Sequence, residues 1–221
     1  MNLRRWLPVG WYMKLAWERR ARQNAMHFVA DFRSGWDNTD AFFQSGKHDV
    51  DKFIADAKWG DTSQARLLEI GCGMGRMTKF LIPWFRHVDA IDISPTMIWK
   101  AKNLHSPKDN VAFHVGNGVD LHEFPDKTFD FVLSYIVFQH IPDAQVILGY
   151  IAEALRVLKP TGRFRFQART DNAHAEPDTY DGASIRREDV ERVVHKAGFK
   201  LERVTGEGTQ YTYFEIGPGA I

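Results

Sequence analysis

Hydrophobic positions along this chain follow two alternating spacings. Short runs such as 129–135 have the largely apolar pattern of strands covered on both faces, and the stretches between them place apolar residues at helical spacing. The pattern predicts strands at 65–70, 88–93, 111–115, 129–135, 162–168, 200–205 and 210–216. It predicts helices at 50–57, 76–84, 143–158 and 186–197, and one more that opens at Ser94-Pro95.

Repeated strand–helix units predict a parallel, doubly wound α/β sheet with right-handed crossovers. Gly206 and Gly208, which separate the last two predicted strands, indicate a hairpin, so the final strand should run antiparallel to its neighbour. The length of 221 residues, with 44% hydrophobic and 26% charged residues, matches ordinary globular proteins. We expect residues 59–221 to form one ligand-binding domain, preceded by a helical lid segment over residues 1–58.

Charge and cysteine content argue against several classes of protein. The formal net charge of +1 gives no general case for a nucleic-acid partner. Cys72 is the single cysteine and leaves no intrachain disulfide, which is usual in a reducing compartment. No apolar run reaches the length of a membrane span. We therefore expect a cytoplasmic protein that does not act on nucleic acid.

The first 22 residues differ from the rest of the chain. They carry six basic residues against one acidic residue, Glu18, with three tryptophans and a tyrosine between them. Such a segment suits peripheral contact with an anionic membrane surface. It also suits a lid helix whose aromatic side chains pack on the domain while its arginines face water. Both interpretations of residues 1–22 stay open.

The most informative motif is the segment 67–78, which reads Leu-Leu-Glu-Ile-Gly-Cys-Gly-Met-Gly-Arg-Met-Thr. Glu69 lies near the end of an apolar run, and Gly71, Gly73 and Gly75 follow at alternate positions before a helical pattern begins. This predicts a strand, a tight turn without side chains and a helix, so that a ligand can lie against backbone. Asp92 ends the next predicted strand, where a carboxylate can accept both hydroxyls of a ribose. Together they indicate a nucleoside-containing cofactor, with a plain glycine turn as the alternative.

The glycine spacing separates this motif from the dinucleotide fingerprint G-x-G-x-x-G, because position 76 is arginine. Glu69 beside the turn would repel a pyrophosphate but suits an amino group. The pattern resembles motif I of the class I S-adenosylmethionine-dependent methyltransferases, in which the acidic residue and the glycine backbone hold the methionine end of the cofactor. The resemblance implies a Rossmann-like sheet of seven strands with the last antiparallel. It also implies S-adenosyl-L-methionine as cofactor and S-adenosyl-L-homocysteine as product.

The resemblance extends from about residue 65 to 167 and implies roles for residues at the carboxyl ends of the strands. Ile93 and Met97 would flank the adenine, with core packing as the alternative for each. Asn117 would accept a hydrogen bond from the adenine amino group, and the backbone N–H of Gly118 would meet a ring nitrogen. The alternative for Asn117 is a turn residue between glycines.

Ser134, Tyr135 and His140 lie in the segment that, in the resembling family, passes between the methyl group and the acceptor. Ser134 and Tyr135 would line the sulfonium, since an aromatic face stabilises a cation by about 0.5–2 kcal/mol. An alcohol or phenol must also lose a proton, and His140 is the candidate base because its imidazole titrates near neutrality. A structural role for His140, capping the next helix or bonding a backbone carbonyl, stays open.

These motifs predict methyl transfer to a small-molecule acceptor, on an oxygen of a sugar, a lipid-linked compound or a natural product. Acceptor contacts are expected from the segments 24–51 and 169–180. No His/Cys cluster has the spacing of metal ligands, so no metal is expected. Two alternatives stay open: a nitrogen or macromolecular acceptor, although no Asn-Pro-Pro-Tyr-type tetrapeptide stands at 134–137, and a subunit that binds the cofactor without catalysis.

Overall fold

The computed structural model describes residues 7–29, 39–57, 59–105, 108–171 and 176–219. The helices are α1 (Val9–Val29), α2 (Thr39–Ala57), α3 (Thr78–Leu81), α4 (Pro95–His105), α5 (Ala144–Val157) and α6 (Arg187–Lys196). The strands are β1 (Arg66–Ile70), β2 (His87–Asp92), β3 (Val111–Val115), β4 (Phe129–Ser134), β5 (Leu158–Ala168), β6 (Phe199–Thr205) and β7 (Thr212–Pro218). A 3-10 turn at Phe138–His140 precedes α5.

The seven strands of the described residues form one mixed sheet in the order β3-β2-β1-β4-β5-β7-β6. β2 pairs in parallel with β1 and β3, and β4 pairs in parallel with β5. β7 runs antiparallel to both β5 and β6. This confirms the predicted fold class, a Rossmann-like sheet with its last strand reversed and a helix at the N-terminus.

Two compact units make up the chain, and the first comprises residues 14–116. It holds β1, β2 and β3 with α2, α3 and α4. Ala21 and Ala25 of α1 share a buried cluster with Met74 from the turn after β1, together with Phe42 and Phe43 of α2. The N-terminal helix is therefore part of the core that supports this turn.

The second unit comprises residues 1–13 and 117–221, with β4, β5, β7 and β6 beside α5 and α6. Its core is aromatic. Phe166 lies 4.8 Å, centroid to centroid, from both Phe164 and Phe214, and 5.5 Å from Phe138. Because Phe138 belongs to the 3-10 turn, this packing fixes the turn that carries His140.

The N-terminal helix is interrupted at Asn24, whose backbone is extended (φ −160°, ψ 90°). The Oδ1 atom of Asn24 accepts a hydrogen bond from the backbone N–H of His27 at 3.1 Å, so Asn24 caps the short second segment of α1. Among the described residues, no helix combines the length and the apolar character that crossing a membrane requires.

The predicted helix at 76–84 is the clearest difference between expectation and structure, because only Thr78–Leu81 is helical. Gly75 has a φ of 84° before it, and Pro83 lacks an N–H to donate after it, so both flanks form turns. The predicted helix at 50–57 is the second half of α2, which starts at Thr39. The domain boundary expected at residue 58 falls outside the described residues and stays a prediction.

Candidate functional site

The turn after β1 has its three glycines in the left-handed region, with φ values of 76° at Gly71, 56° at Gly73 and 84° at Gly75. A Cβ atom at Gly73 would lie 2.9 Å from Cγ2 of Val29, and one at Gly75 would overlap the ring of His105. Backbone conformation therefore favours glycine at all three positions, and close packing of the protein itself requires it at Gly73 and Gly75. The sequence had left two reasons open, a ligand that lies against the backbone and a plain glycine turn.

Glu69 is buried under the turn, with 5% of its surface exposed. Its Oε2 accepts a hydrogen bond from the Thr78 hydroxyl at 2.6 Å. Burial raises the pKa of Glu69 to about 7, although the Thr78 bond and the charge of Arg76 act in the opposite direction. The carboxyl group can therefore gain or lose a proton near neutral pH, and a nearby ammonium group would favour its charged form.

Asp92 ends β2 with its carboxylate held by the backbone. Oδ2 accepts from the Gly73 N–H at 2.9 Å, and Oδ1 accepts from the Ser94 N–H at 2.8 Å. Burial raises the pKa of Asp92 to about 6, against the effect of these N–H donors. A carboxylate offers about four acceptor positions, so each oxygen keeps capacity for one hydroxyl of a ribose.

The two apolar residues expected beside the adenine have different environments. Ile93 is half-buried and follows Asp92 directly. Met97 is 2% exposed and packs with Phe42 and Phe43 in the core cluster. Met97 therefore lies in the core, which is the alternative that the sequence had left open for it. Ile93 has exposed surface that a ligand can contact.

Arg76 follows the glycine turn and is buried. Its Nη1 atom donates to Asp49 at 2.6 Å and to Ser45 at 3.1 Å, both on α2. The guanidinium therefore ties α2 to the turn.

Asn117 follows β3, and its side chain closes its own loop. Its Oδ1 accepts from the backbone N–H groups of Val119 and Asp120 at 2.8 and 3.1 Å, and its Nδ2 donates to Asp120 Oδ1 at 2.7 Å. To reach an adenine, the amide would have to give up these bonds. Gly118 has a φ of 82° and is buried in the same loop.

Ser134 and Tyr135 come at the end of β4. The Oγ atom of Ser134 is fully buried and has no hydrogen-bond partner within the described part of the chain. Tyr135 is half-buried and stacks on Tyr213, with ring centroids 6.3 Å apart and planes at 19°. Ile136 has a φ of 55°, which is strained for a β-branched residue, and such strain often accompanies a functional segment.

His140 ends a chain of hydrogen bonds that assigns its tautomer. Gln167 Nε2 donates to the carbonyl of Gln210 and, at 2.9 Å, to Gln139 Oε1. Gln139 Nε2 therefore faces His140 Nε2, at 3.3 Å. His140 Nδ1 lies 2.8 Å from the carbonyl oxygen of Tyr180, which can only accept. Nδ1 thus carries the hydrogen, and Nε2 of the neutral ring is the basic nitrogen.

The polar loop after β5 is organised by Arg169. This buried guanidinium bonds Asp171 Oδ2 at 2.9 Å and Asp181 Oδ1 at 3.1 Å. Arg169 therefore holds the loop together. His174, in the same predicted acceptor segment, lies outside the described residues.

Asp120, His122 and Glu123 form the one group of three possible metal ligands among the described residues. His122 Nδ1 lies 2.6 Å from Asp120 Oδ1, which also accepts from Asn117 and from the backbone N–H of His122. These contacts engage the Oδ1 atom of Asp120 within its own loop.

Three site features escaped sequence reasoning. They are the tautomer-setting pair Gln139 and Gln167, the Arg76–Asp49 ion pair, and contacts of Glu18 with Ser94 and Thr96 at 2.5–3.2 Å. A signal existed for Glu18, which is the lone acidic residue among the basic residues of positions 1–22.

Comparison with known proteins places this geometry in context. Residues 68–166 match the family described as "Methyltransferase domain". A demethylmenaquinone methyltransferase of Tropheryma whipplei is 35% identical over 119 residues, which are 50% of this chain and 48% of that protein. A ubiquinone biosynthesis O-methyltransferase of Xylella fastidiosa is 30% identical over 146 residues, 64% of this chain and 57% of that protein. The chain spans about half the length of the curated relatives that it matches.

Magnesium protoporphyrin IX methyltransferase from Synechocystis PCC 6803, crystallised with bound S-adenosylmethionine, has a TM-score of 0.64 to this chain at 15% identity. The match covers 94% of this chain and 97% of that one. At this identity the likeness establishes the fold. Residues 68–166 thus match a methyltransferase domain, and the sheet order and the glycine turn that precedes Asp92 are similar to those of the class I S-adenosylmethionine-dependent methyltransferases.

Proposed function

We propose that this chain transfers the methyl group of S-adenosylmethionine to a hydroxyl oxygen of a small molecule. The observation that carries the proposal is the Asp92 carboxylate, held by two backbone N–H groups beside a turn of left-handed glycines. A relative is named as an O-methyltransferase of ubiquinone biosynthesis, so phenol and quinol hydroxyls are the first acceptors to test. Sugar, lipid-linked and natural-product hydroxyls follow.

The residues present fit the cofactor chemically. The Asp92 carboxylate has acceptor capacity left for hydroxyls, Glu69 can be charged near neutrality, and the buried Ser134 hydroxyl has no partner among the described residues. When bound, the cofactor supplies an activated methyl group on a sulfonium. The residues proposed to hold it are Glu69, Gly71, Gly73, Gly75, Asp92, Ile93, Gly118 and Ser134. We assign Met97 and Asn117 supporting roles, in the core and in closing the loop after β3.

The methyl-transfer step needs alignment, exclusion of water and removal of a proton from the acceptor hydroxyl. We assign the proton to His140 Nε2, because Nδ1 already donates to the Tyr180 carbonyl. That carbonyl also stabilises the imidazolium that results. Gln139 donates to Nε2 at 3.3 Å, a long bond, and must give way to the acceptor hydroxyl. Tyr135 would contact the sulfonium through its ring.

The alternatives make different predictions. A nitrogen acceptor already holds a lone pair, so His140 would matter little for turnover. A nucleic-acid acceptor would give binding that weakens steeply with salt. A non-catalytic subunit would bind S-adenosylmethionine without turnover on any acceptor.

Peripheral contact with an anionic lipid surface through residues 1–22 is a further part of the proposal. Trp11 and Leu15 are 64% and 52% exposed and lie one helical turn apart on α1. Arg19 and Arg22 are exposed farther along the helix. Exposed apolar side chains beside basic ones suit an anionic bilayer surface. Residues 1–6 of the expected contact lie outside the described part of the chain.

Calorimetric titration with S-adenosylmethionine and S-adenosylhomocysteine, with NAD as the control ligand, tests the cofactor assignment. We expect micromolar binding of the first two and none of NAD. Binding of NAD alone would contradict the assignment.

Turnover with small phenols and quinols, followed by formation of S-adenosylhomocysteine, then tests the reaction. His140→Ala should lower kcat by about 10²–10⁴-fold, the usual contribution of a general base, while S-adenosylhomocysteine affinity stays near wild type. Equal loss of turnover and affinity would make His140 structural.

A further inference from the structure

Glu18, the lone acidic residue of the basic N-terminal segment, lies beside the corner that carries Asp92. We propose that Glu18 is a positioning residue for the cofactor site, because it fixes the first turn of α4 and, through Ser94, the Asp92 carboxylate. The inference rests on the proposed function, in which Asp92 binds the ribose. Its experiments distinguish failure of this inference from failure of that function.

Four donors converge on the Glu18 carboxylate. Oε2 accepts from the Ser94 hydroxyl at 2.6 Å and from the Thr96 N–H at 3.2 Å. Oε1 accepts from the Thr96 hydroxyl at 2.5 Å and from Arg22 Nε at 2.9 Å. Three of the four donors belong to the start of α4, so one side chain of α1 holds the beginning of α4.

A second bond attaches the same two helices. Lys100 Nζ of α4 donates to the carbonyl oxygen of Ala21 of α1 at 2.8 Å. Ala21 itself is fully buried in the core cluster. The attachment therefore extends along about one turn of each helix and does not depend on a surface ion pair alone.

Ser94 connects this attachment to the cofactor site. Its hydroxyl donates to Glu18 and accepts from the Met97 N–H at 3.2 Å, and its backbone N–H donates to Asp92 Oδ1 at 2.8 Å. The other Asp92 oxygen accepts from the Gly73 N–H at 2.9 Å. An unbroken run of hydrogen bonds thus leads from α1 to the glycine turn.

The charge of Glu18 has an opposing effect. Burial would raise the pKa of Glu18, but the bonds from Ser94, Thr96 and Arg22 lower it to about 2, so it is ionised at working pH. After burial, this negative charge is one of the causes that raise the pKa of Asp92. The hydrogen bonds of Glu18 order the corner, whereas the repulsion between Glu18 and Asp92 weakens cofactor binding there. The direction in which a Glu18 variant changes cofactor affinity decides which effect dominates.

Binding must be coupled in both directions if Glu18 orders the ribose site. A cofactor that favours the ordered corner also favours the docked α1, by the same factor. Bound S-adenosylhomocysteine should therefore protect α1 from trypsin at Arg19 and Arg22, which are both exposed.

Glu18→Gln is the principal test, with Arg22→Ala as the matched control. Glutamine offers one acceptor oxygen to the donors of α4, whereas the control removes only the exposed Arg22 partner. At pH 7.5 we expect calorimetric affinity for S-adenosylhomocysteine to fall about tenfold in Glu18→Gln and to change less than about twofold in Arg22→Ala. Bound ligand should slow cleavage at Arg19 and Arg22 in the wild type and not in Glu18→Gln.

Two further variants guard against a general loss of structure. Thr96→Val removes one donor and keeps side-chain volume, and should reproduce part of the affinity loss. In an Asp92→Ala background, Glu18→Gln should have no additional effect on affinity, because its action passes through Asp92.

Additive losses in that double variant, or unchanged or tighter binding by a folded Glu18→Gln, would overturn the inference while leaving the proposed function intact. If the wild type did not bind S-adenosylhomocysteine, the proposed function would fail, and this inference with it.

Discussion

The pKa of Asp92 should make cofactor affinity depend on pH. Burial raises the pKa of this carboxyl group to about 6. Ribose hydroxyls donate well to a carboxylate, whereas a protonated carboxyl group has lost acceptor capacity and charge. We therefore expect the affinity for S-adenosylhomocysteine to fall as pH is lowered through about 6.

The magnitude follows from the fraction ionised. With a pKa of about 6, about nine-tenths of Asp92 is charged at pH 7 and about one-tenth at pH 5. Affinity should fall about tenfold between these values, and binding near pH 6 should release about half a proton per ligand. Asp92→Asn removes the charge at constant size and should weaken binding about 10–100-fold at pH 7, as expected for one or two charge-assisted hydrogen bonds.

Calorimetry from pH 5 to 7.5, in two buffers with different ionisation enthalpies, measures affinity and proton release together. Glu69, with a pKa of about 7, adds a second titration for ligands with an amino-acid end. Adenosine lacks that end and should show the Asp92 step alone, as should S-adenosylhomocysteine with Glu69→Gln. Flat affinity for both ligands across this range, or a step in adenosine binding that survives Asp92→Asn, would refute the reasoning.

Three other outcomes are expected. Because burial raises the pKa of Glu69 to about 7, the native state holds a proton that the unfolded state has lost, so the free energy of unfolding should fall as pH rises from about 4.5 to 7. Glu69→Gln should flatten this slope in urea unfolding, and an unchanged slope would contradict the assignment. Gly75→Ala should cost about 2–4 kcal/mol of stability, because Gly75 has a φ of 84° and an added Cβ would overlap the His105 ring. Gly60→Ala should cost about 1–2 kcal/mol, because Gly60 has a φ of 74° but lies in open space. Equal losses would remove the overlap from the explanation. His140→Asn should abolish the acidic limb of the pH profile of kcat. An intact acidic limb would show that another group causes it.

The sheet and the cofactor corner were largely predictable because their signals are local. The run from Leu67 to Gly75 and the strand ending at Asp92 are specified by neighbouring residues, and the structure has both elements. The helix expected at 76–84 was wrong because the left-handed Gly75 and the missing N–H of Pro83 confine the helix to Thr78–Leu81.

Partners distant in sequence were not predictable in the same way. Arg76 pairs with Asp49 and Glu18 binds Thr96, across 27 and 78 positions, and no local pattern specifies such pairs. Asn117 looked available for an adenine, yet its own loop takes up its side chain. The sequence indicates which side chains can carry chemistry, whereas only packing decides which of them are already engaged.

The strained residue Ile136 bears on how this protein can be improved. A β-branched side chain at a φ of 55° costs about 1–3 kcal/mol, which Ile136→Gly would recover at the price of a looser backbone between Tyr135 and His140. Laboratory evolution for heat resistance should accept such a change, and evolution for turnover should reject it. Thermal tolerance and catalytic rate would then compete at a single position of the chain.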